Sequence, residues 1–252
     1  MSEREGDAFL GGRLRLVQPI RGHRAGLDAV MLAAAARVRP DDAVLDAGAG
    51  CGIVGLCIAA REASCRVVGV EIEPGLSALG AANAERNGLA RRYQAINADL
   101  TRPQSHLAAF DLTPDSFDCV VANPPFHPQG RVTESPEPAR TQAAVMPEGG
   151  LENWLRFMTA MAKSGGVLAL IYPAAALAEL LAAMDARCGG IVVFPLFPRL
   201  GEPAHRVIVS GIKGSRAPLE LRGGMILHGS GNAFTPEAET VLRGGGGIDV
   251  GV

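Results

Sequence analysis

The feature of this sequence that most constrains its fold is a series of short apolar segments that each lead into an acidic residue. Asp46 ends the first segment, Glu71 ends the second and Asp99 follows the third. The three apolar segments are residues 43–46, 66–71 and 93–98. Spacers of helical length separate them, and strands that alternate with helices form a doubly wound, mostly parallel sheet. Ligands bind such sheets beyond the carboxyl ends of the strands, so we expect the three carboxylates at one binding edge.

The same alternation continues through most of the chain. Helix formers and capping signals predict helices over 27–38, 53–61, 74–87, 151–163 and 174–187. Apolar segments predict further strands over 117–122, 167–172, 191–196, 206–213 and 225–228. We therefore expect an α/β fold with helices on both faces of the sheet and an antiparallel C-terminal strand pair.

One domain is enough to account for the length. The chain has 252 residues, which can bury a full core without a second domain. We assign residues 27–243 to this domain and residues 1–26 to an N-terminal extension or hairpin. Residues 244–252 begin with four consecutive glycines, which predicts a flexible tail.

A glycine-rich turn follows the first strand. Asp46–Gly52 reads D-A-G-A-G-C-G, and its glycines let a ligand approach the backbone closely. The third glycine comes one residue too early for the dinucleotide pattern G-x-G-x-x-G, and Asp46 suits a cationic cofactor without phosphates. Glu71 can accept hydrogen bonds from ribose hydroxyls, and Asp99 from an adenine amino group. Each acid alone can also be a helix cap, but together with the glycine turn they favour a cofactor site.

The tetrapeptide Asn123-Pro124-Pro125-Phe126 follows the fourth of these strands. The Asn123 Oδ1 atom and the Pro124 carbonyl can accept the two hydrogens of an aromatic amine, which frees the nitrogen lone pair to act as a nucleophile. Pro125 stiffens the backbone, and Phe126 offers a flat face for stacking on a planar ring. The alternative is a rigid loop without chemistry. The position of the tetrapeptide at the binding edge favours a catalytic role.

These motifs resemble those of the class I S-adenosylmethionine-dependent methyltransferases. The matching segments are D-A-G-A-G-C-G, E-I-E-P at residues 71–74, N-A-D-L at residues 97–100 and N-P-P-F. The resemblance implies a Rossmann-like fold and S-adenosylmethionine as cofactor. It further implies cofactor contacts from Asp46, Gly48, Gly50, Glu71, Ile72, Asp99, Leu100 and Asn123. It also implies catalytic roles for Asn123, Pro124, Pro125 and Phe126.

More of the chain resembles one branch, the bacterial tRNA adenine N6-methyltransferases that modify the anticodon loop of a valine tRNA. The further matches are G-L-D-A-V-M-L from Gly26, Leu151-x-x-Trp154 and H-R-V-I-V-S-G-I-K-G from His205. The resemblance covers about residues 22–213. It implies that Asp28 is a cofactor contact and that the substrate is RNA, with tRNA favoured. We assign Trp154 to the core rather than to a substrate platform.

The charge of the chain limits how it can hold RNA. The formal net charge is −2, so a nucleic-acid site must be a local basic patch. The candidates for that patch are Arg131, Arg140, Arg199, Arg206 and Lys213. Near-neutral charge also keeps open a protein glutamine or a small molecule as the methyl acceptor. A second alternative is a cofactor-binding subunit without catalytic activity.

The five cysteines do not form C-x-x-C pairs, which argues against a zinc site or a disulfide framework. We expect Cys57, Cys65 and Cys119 in the core, and we expect the protein to use no metal. The N-terminus lacks the apolar run of a signal peptide, and no segment has the length and apolarity of a membrane span. We therefore expect a cytoplasmic protein; the sequence leaves its oligomeric state open.

Overall fold

In a computed structural model, the described residues are 6–19, 26–102, 107–125, 127–128, 145–146 and 150–251. The strands are β1 Asp7–Phe9, β2 Leu14–Leu16, β3 Ala43–Ala47, β4 Arg66–Glu71, β5 Tyr93–Asn97, β6 Phe117–Ala122, β7 His127–Pro128, β8 Val145–Met146, β9 Ala162–Pro173, β10 Cys188–Phe197, β11 Arg206–Lys213, β12 Glu220–Leu221 and β13 Met225–Ile226. The α-helices are α1 Leu27–Ala35, α2 Ile53–Arg61, α3 Pro74–Arg86, α4 Gly150–Met161, α5 Leu177–Asp185 and α6 Pro236–Leu242.

The central sheet has the order β12-β10-β11-β9-β6-β3-β4-β5, and β13 also pairs with β10. The five strands β9, β6, β3, β4 and β5 are parallel to one another. Strand β11 is antiparallel to both β9 and β10. The predicted α/β fold, with a mostly parallel sheet and an antiparallel C-terminal pair, is confirmed.

Two hydrophobic cores cover the two faces of this sheet. Helices α1 and α2 contribute side chains such as Met31 and Leu56 to one core, where they pack with Val44. Helices α4 and α5 contribute Met158 and others to the second core, where Leu45 lies. Successive residues of a strand point to opposite faces, so the neighbours Val44 and Leu45 can serve different cores. This arrangement leaves the strand ends as the part of the sheet open to a ligand.

The helix α1 is shorter than the sequence predicts. It ends at Ala35, where the backbone of Ala36 turns extended. Arg61 donates hydrogen bonds to the carbonyl oxygens of Ala34 and Ala36, both at 2.6 Å. These bonds satisfy carbonyls that a longer helix would have used internally. Residues 174–187, predicted as one helix, instead form a 3₁₀ turn at 174–176 followed by α5.

The described segments near the two ends of the chain, residues 6–19 and 244–251, pack on the domain. Residues 6–19 contain the antiparallel hairpin β1–β2. The flexible tail predicted from the sequence is corrected by the structure. The amides of Gly244, Gly245 and Gly246 donate hydrogen bonds to carbonyls of α6. The Ile248 amide then donates to the Ala34 carbonyl at 2.8 Å, and Val250 is buried. The glycine run therefore closes the end of a helix instead of extending into solvent.

The five cysteines are buried with free thiols, which agrees with the core positions expected for Cys57, Cys65 and Cys119. Burial raises the pKa of the Cys57 and Cys119 thiols to about 12, so both are held as neutral apolar groups. Of the helices that the structure describes, none has the length and apolarity needed to cross a membrane.

Candidate active site

The strand register brings the sequence-predicted residues to one edge of the sheet. Ala47 is paired with Ala122 on one side and with Val70 on the other. Gly48 and Asn123 therefore leave the sheet side by side, from strands roughly 4.8 Å apart. Glu71 ends the next strand and is paired with Asn97 of β5.

The glycine turn is closed by an aromatic side chain. Gly48 has a φ of +67°, in the left-handed region that favours glycine. A Cβ atom at this position would collide with the ring of Trp154, which reaches the turn from α4. Trp154 is half-buried and also packs against the core. The core assignment of Trp154 is thus incomplete, since its ring also contacts the glycine turn.

Glu71 holds the same turn from the other side. Its Oε2 atom accepts a hydrogen bond from the Gly50 amide at 2.8 Å, and its Oε1 atom accepts one from the Glu73 amide at 2.9 Å. A carboxylate has about four acceptor positions, so two remain for the hydroxyls of a ribose. The residues present therefore fit a nucleoside cofactor at this edge.

Asp46 is fully buried beneath the turn. Its Oδ2 atom accepts a hydrogen bond from the Gly55 amide at 2.9 Å, in the first turn of α2. Burial raises the pKa of Asp46 to about 7; the Gly55 hydrogen bond opposes this rise and the charge of Glu71 adds to it. The alternative interpretation, that Asp46 caps a helix, is therefore correct in part. Burial makes the ionised form of Asp46 unfavourable while no cation is nearby. A bound cation would stabilise that ionised form.

The residues after β4 form an apolar platform. The Ile72 side chain is 63% exposed, although it is large and apolar. The Asn97 Nδ2 atom donates to the carbonyls of Glu71 and Ile72, both at 2.9 Å, which fixes this corner of the backbone. An exposed aliphatic side chain beside the Glu71 carboxylate could cover the flat face of an aromatic ring. Asn97 was missed as a positioning residue, although it opens the N-A-D-L motif that pointed to Asp99.

Asp99 and Leu100 lie just beyond the end of β5, and both are half-buried. The Asp99 Oδ1 atom accepts hydrogen bonds from the amide and hydroxyl of Thr101, at 2.9 and 2.6 Å. The Arg102 guanidinium lies 3.5 Å from its other oxygen. Asp99 therefore shapes its own turn, as a capping acid does, at the place where an adenine edge would lie.

Asp28 is held by an ion pair. Its Oδ2 atom accepts a hydrogen bond from Arg206 Nε at 2.8 Å, and both side chains are largely shielded. This pair joins the first turn of α1 to the start of β11. Asp28, predicted as a cofactor contact, and Arg206, predicted as part of a phosphate patch, are thus partners of each other.

The predicted patch of C-terminal basic residues is split by the course of β11. Arg206 is paired with Pro173 at the carboxyl end of β9, whereas Ile212 is paired with Val167 in the middle of β9, toward the opposite edge of the sheet. Lys213 is therefore roughly 23 Å from Arg206 along the strand. There it forms an ion pair with Asp115 at 2.7 Å. The expectation that Lys213 shares a patch with Arg206 is wrong, because an antiparallel strand carries its two ends to opposite edges.

Arg199 remains at the binding edge, in the connection between β10 and β11. Its Nη2 atom donates to the Gly231 carbonyl at 3.2 Å and to Asn232 Oδ1 at 3.3 Å. Predictions for Phe126, Arg131 and Arg140 concern positions outside the described residues.

Asn123 lies half-buried where β6 ends, followed by the buried Pro124 and the half-buried Pro125. Within the described residues, the Asn123 side chain makes no hydrogen bond. Half-buried amides normally find partners, so this side chain has unused hydrogen-bonding capacity beside Gly48. The site thus combines a glycine turn, three carboxylates, an apolar platform and an available amide at one edge.

Comparison with known proteins shows similarity to methyltransferases. The methyltransferase small domain family matches residues 27–141. A Haemophilus influenzae protein named tRNA1(Val) (adenine(37)-N6)-methyltransferase is 25% identical, over 84% of this chain and 86% of its own. A protein of the same name from Aeromonas hydrophila is 27% identical, over 74% and 75% of the two chains.

A solved structure agrees with this match over nearly its whole length. A protein from Agrobacterium tumefaciens, described as a predicted O-methyltransferase, is 30% identical and superimposes with a TM-score of 0.74. The match covers 88% of this chain and 98% of that one. Together with the glycine turn and the acids at the strand ends, these similarities establish S-adenosylmethionine as the cofactor. The chain belongs to the class I S-adenosylmethionine-dependent methyltransferases.

Proposed function

We propose that this enzyme methylates the exocyclic N6 nitrogen of an adenine in tRNA. The observation that carries the proposal is the free amide of Asn123, which ends β6 beside the Gly48 turn and makes no hydrogen bond to the described part of the chain. An aromatic amine needs hydrogen-bond acceptors at this place. The curated relatives named as tRNA adenine N6-methyltransferases support the same substrate.

The chemistry requires positioning rather than a strong base. Bound S-adenosylmethionine supplies an electrophilic methyl group on a sulfonium that leaves as a neutral thioether. The Asn123 Oδ1 atom and the Pro124 carbonyl accept the two amine hydrogens, which draws the nitrogen toward tetrahedral geometry and directs its lone pair at the methyl carbon. The nitrogen–carbon bond forms as the sulfur–carbon bond breaks, and one amine proton then passes to water. Alignment alone can supply about 7–11 kcal/mol in the best cases.

An amine acceptor fits this site better than a hydroxyl. The Agrobacterium protein is described as an O-methyltransferase, so the two classes need a physical distinction. A hydroxyl must lose its proton to become a good nucleophile, which calls for a nearby base. Asn123 has no ionisable group near neutral pH and can only accept or donate hydrogen bonds. Nitrogen methylation is therefore the reaction that its side chain can assist.

The cofactor contacts follow from the same edge. We assign the ribose hydroxyls to Glu71, one face of the adenine ring to Ile72 with Leu100, and the adenine amino group to Asp99. Gly48 and Gly50 face the methionine portion together with Asn123, and Asp46 supplies negative charge beneath it. Asp28 acts on the cofactor site indirectly, because its carboxylate is paired with Arg206. Its contribution is the placement of α1 beside the site.

For the tRNA, we assign phosphate contacts to Arg199 at the binding edge and to Arg131 and Arg140, which follow the motif in sequence. Phe126 is the proposed stacking partner of the flipped adenine. These few contacts agree with a net charge of −2, which excludes a broadly basic surface. A cytoplasmic location, where tRNA is modified, is part of the proposal.

The test is methyl transfer from labelled S-adenosylmethionine to total tRNA, free adenosine, protein extract and metabolites in parallel. We expect label in tRNA, and we expect nuclease digestion to release it as N6-methyladenosine. Label in a ribose 2′-O-methyl group would contradict the amine assignment. Label in protein or in metabolites instead would establish the alternative acceptors, a glutamine side chain or a small molecule, that the near-neutral charge leaves open.

A further inference from the structure

Asn83 of α3 connects the glycine turn to the N-terminal hairpin. It is a polar residue that is only 1% exposed. Its Nδ2 atom donates to the carbonyls of Val17 and Cys51, both at 3.0 Å, and its Oδ1 atom accepts from the Val17 amide at 2.8 Å. Both amide hydrogens are therefore used, one for each of two segments far apart in sequence.

One helical turn later, Asn87 makes a similar contact with the hairpin. Its Oδ1 atom accepts from the Arg15 amide at 2.9 Å and its Nδ2 atom donates to the Arg15 carbonyl at 3.0 Å. Residues four apart lie on one face of a helix, and residues two apart lie on one side of a strand. The two asparagines thus imitate the edge of a strand and dock residues 15–17. Only Asn83 also reaches the glycine turn.

The Cys51 carbonyl lies in the most constrained part of that turn. The preceding Gly50 amide is bound by Glu71, and the following Gly52 has a φ of +86°. The turn is therefore held from two sides, by a carboxylate at Gly50 and by an amide at Cys51. A carbonyl that lost its donor here would be buried without a partner, and the turn would rearrange to satisfy it.

We propose that Asn83 is a positioning residue for the cofactor: it fixes the glycine turn through the Cys51 carbonyl and makes the affinity for S-adenosylmethionine depend on the docked hairpin. This inference rests on the cofactor and not on the identity of the methyl acceptor. Binding of the cofactor and docking of the hairpin are then coupled, and the coupling acts equally in both directions.

The test compares Asn83→Ala with Asn87→Ala, its matched control directly after the end of α3. Both variants lose contacts with the hairpin, so both should melt at lower temperature. Loss of one net hydrogen bond to the turn should weaken S-adenosylmethionine binding about threefold to tenfold in Asn83→Ala, measured by calorimetry well below the melting temperature. Asn87→Ala should bind the cofactor within twofold of the original. Equal affinities in the two variants would overturn the proposal.

A second measurement needs no variant and so does not depend on the folding of Asn83→Ala. Saturating S-adenosylmethionine should slow hydrogen exchange at the Val17 amide, which is bonded to Asn83, and leave the Arg15 amide, bonded to Asn87, nearly unchanged. Unchanged exchange at Val17, or an equal change at both amides, would show that the hairpin and the cofactor site are not coupled through Asn83.

Discussion

Glu71 Oε2 accepts a hydrogen bond from the Gly50 amide at 2.8 Å, which joins the end of β4 to the glycine turn after β3. One acid therefore shapes the turn and, in the proposed site, keeps acceptor positions for the ribose. Asp46 likewise has a structural contact, because it caps α2 through Gly55, and it lies beneath the glycine turn. Binding and folding are thus linked at this edge, and variants must be compared with controls that separate the two effects.

Glu71→Gln should weaken S-adenosylmethionine binding by about 10- to 100-fold. The amide loses the negative charge, and hydrogen bonds to charged groups are worth about 1.5–3 kcal/mol. Titration calorimetry measures the change, and the fluorescence of Trp154, the single tryptophan of the chain, offers an independent signal beside Gly48. The control is the exposed neighbour Glu73→Gln, which should stay within twofold. Equal losses in the two variants would remove Glu71 from the ribose site.

Gly48→Ala should destabilise the fold more than Gly88→Ala. Both positions have nearly the same positive φ, +67° and +68°. An added Cβ meets nothing within 4 Å at Gly88 but meets the Trp154 ring at Gly48. The backbone strain should cost about 1–2 kcal/mol in both variants. Overpacking should add about 1–3 kcal/mol at Gly48, measured by urea unfolding. Trp154→Ala should recover part of that addition, and a double variant without recovery would refute the contact.

The raised pKa of Asp46 predicts how stability and cofactor binding change with pH. Its folded pKa of about 7 is well above the ordinary value of about 4 for an aspartate, so the neutral form favours folding and this stability is lost as the pH rises from about 4 through 7. A cationic cofactor favours the ionised form. Binding of S-adenosylmethionine should therefore release protons below pH 7 and tighten as the pH rises. Calorimetry in buffers of different ionisation enthalpy counts these protons. Asp46→Asn should abolish this part of the dependence, and an unchanged pH profile would contradict the assignment.

Arg199→Gln should weaken tRNA binding, and Lys213→Gln should not. Arg199 lies at the binding edge, whereas Lys213 is at the opposite end of β11, paired with Asp115. Loss of one phosphate contact should lower the slope of log affinity against log salt by about 0.9. Filter binding over a salt series measures both the tRNA affinity and its slope against salt. The same loss for Lys213→Gln would mean that the RNA covers a different surface.

The sequence predicts the strand ends and their acids because both follow from local patterns. Helix 53–61 and strands 66–71, 117–122 and 206–213 agree with the structure to the residue. The pairing of Asp28 with Arg206 escaped prediction because the two residues are 178 positions apart, and their contact depends on how β11 joins the sheet. Asn83 and Val17, 66 positions apart, are a second example.

The course of a strand also cannot be derived from its composition alone. Arg206 and Lys213 belong to one short basic-ended segment, which suggested a shared patch. Only the antiparallel pairing with β9 shows that they lie at opposite edges. The glycine tail is similar: its composition predicts flexibility, but its amides find carbonyls at the end of α6 and on α1.

The central claim is that Asn123 assists the methyl acceptor during transfer, and that its place beside the methionine portion adds little to cofactor affinity. The most direct measurement is kcat of Asn123→Ala for methyl transfer to tRNA, taken together with the Kd for S-adenosylmethionine on the same preparation. Loss of a positioned hydrogen-bonding group at a reacting centre typically lowers kcat about 100- to 1,000-fold. We predict a loss of this size with a Kd that stays within about threefold of the original. A variant that keeps near-normal kcat, or loses activity only because it no longer binds S-adenosylmethionine, would contradict the account.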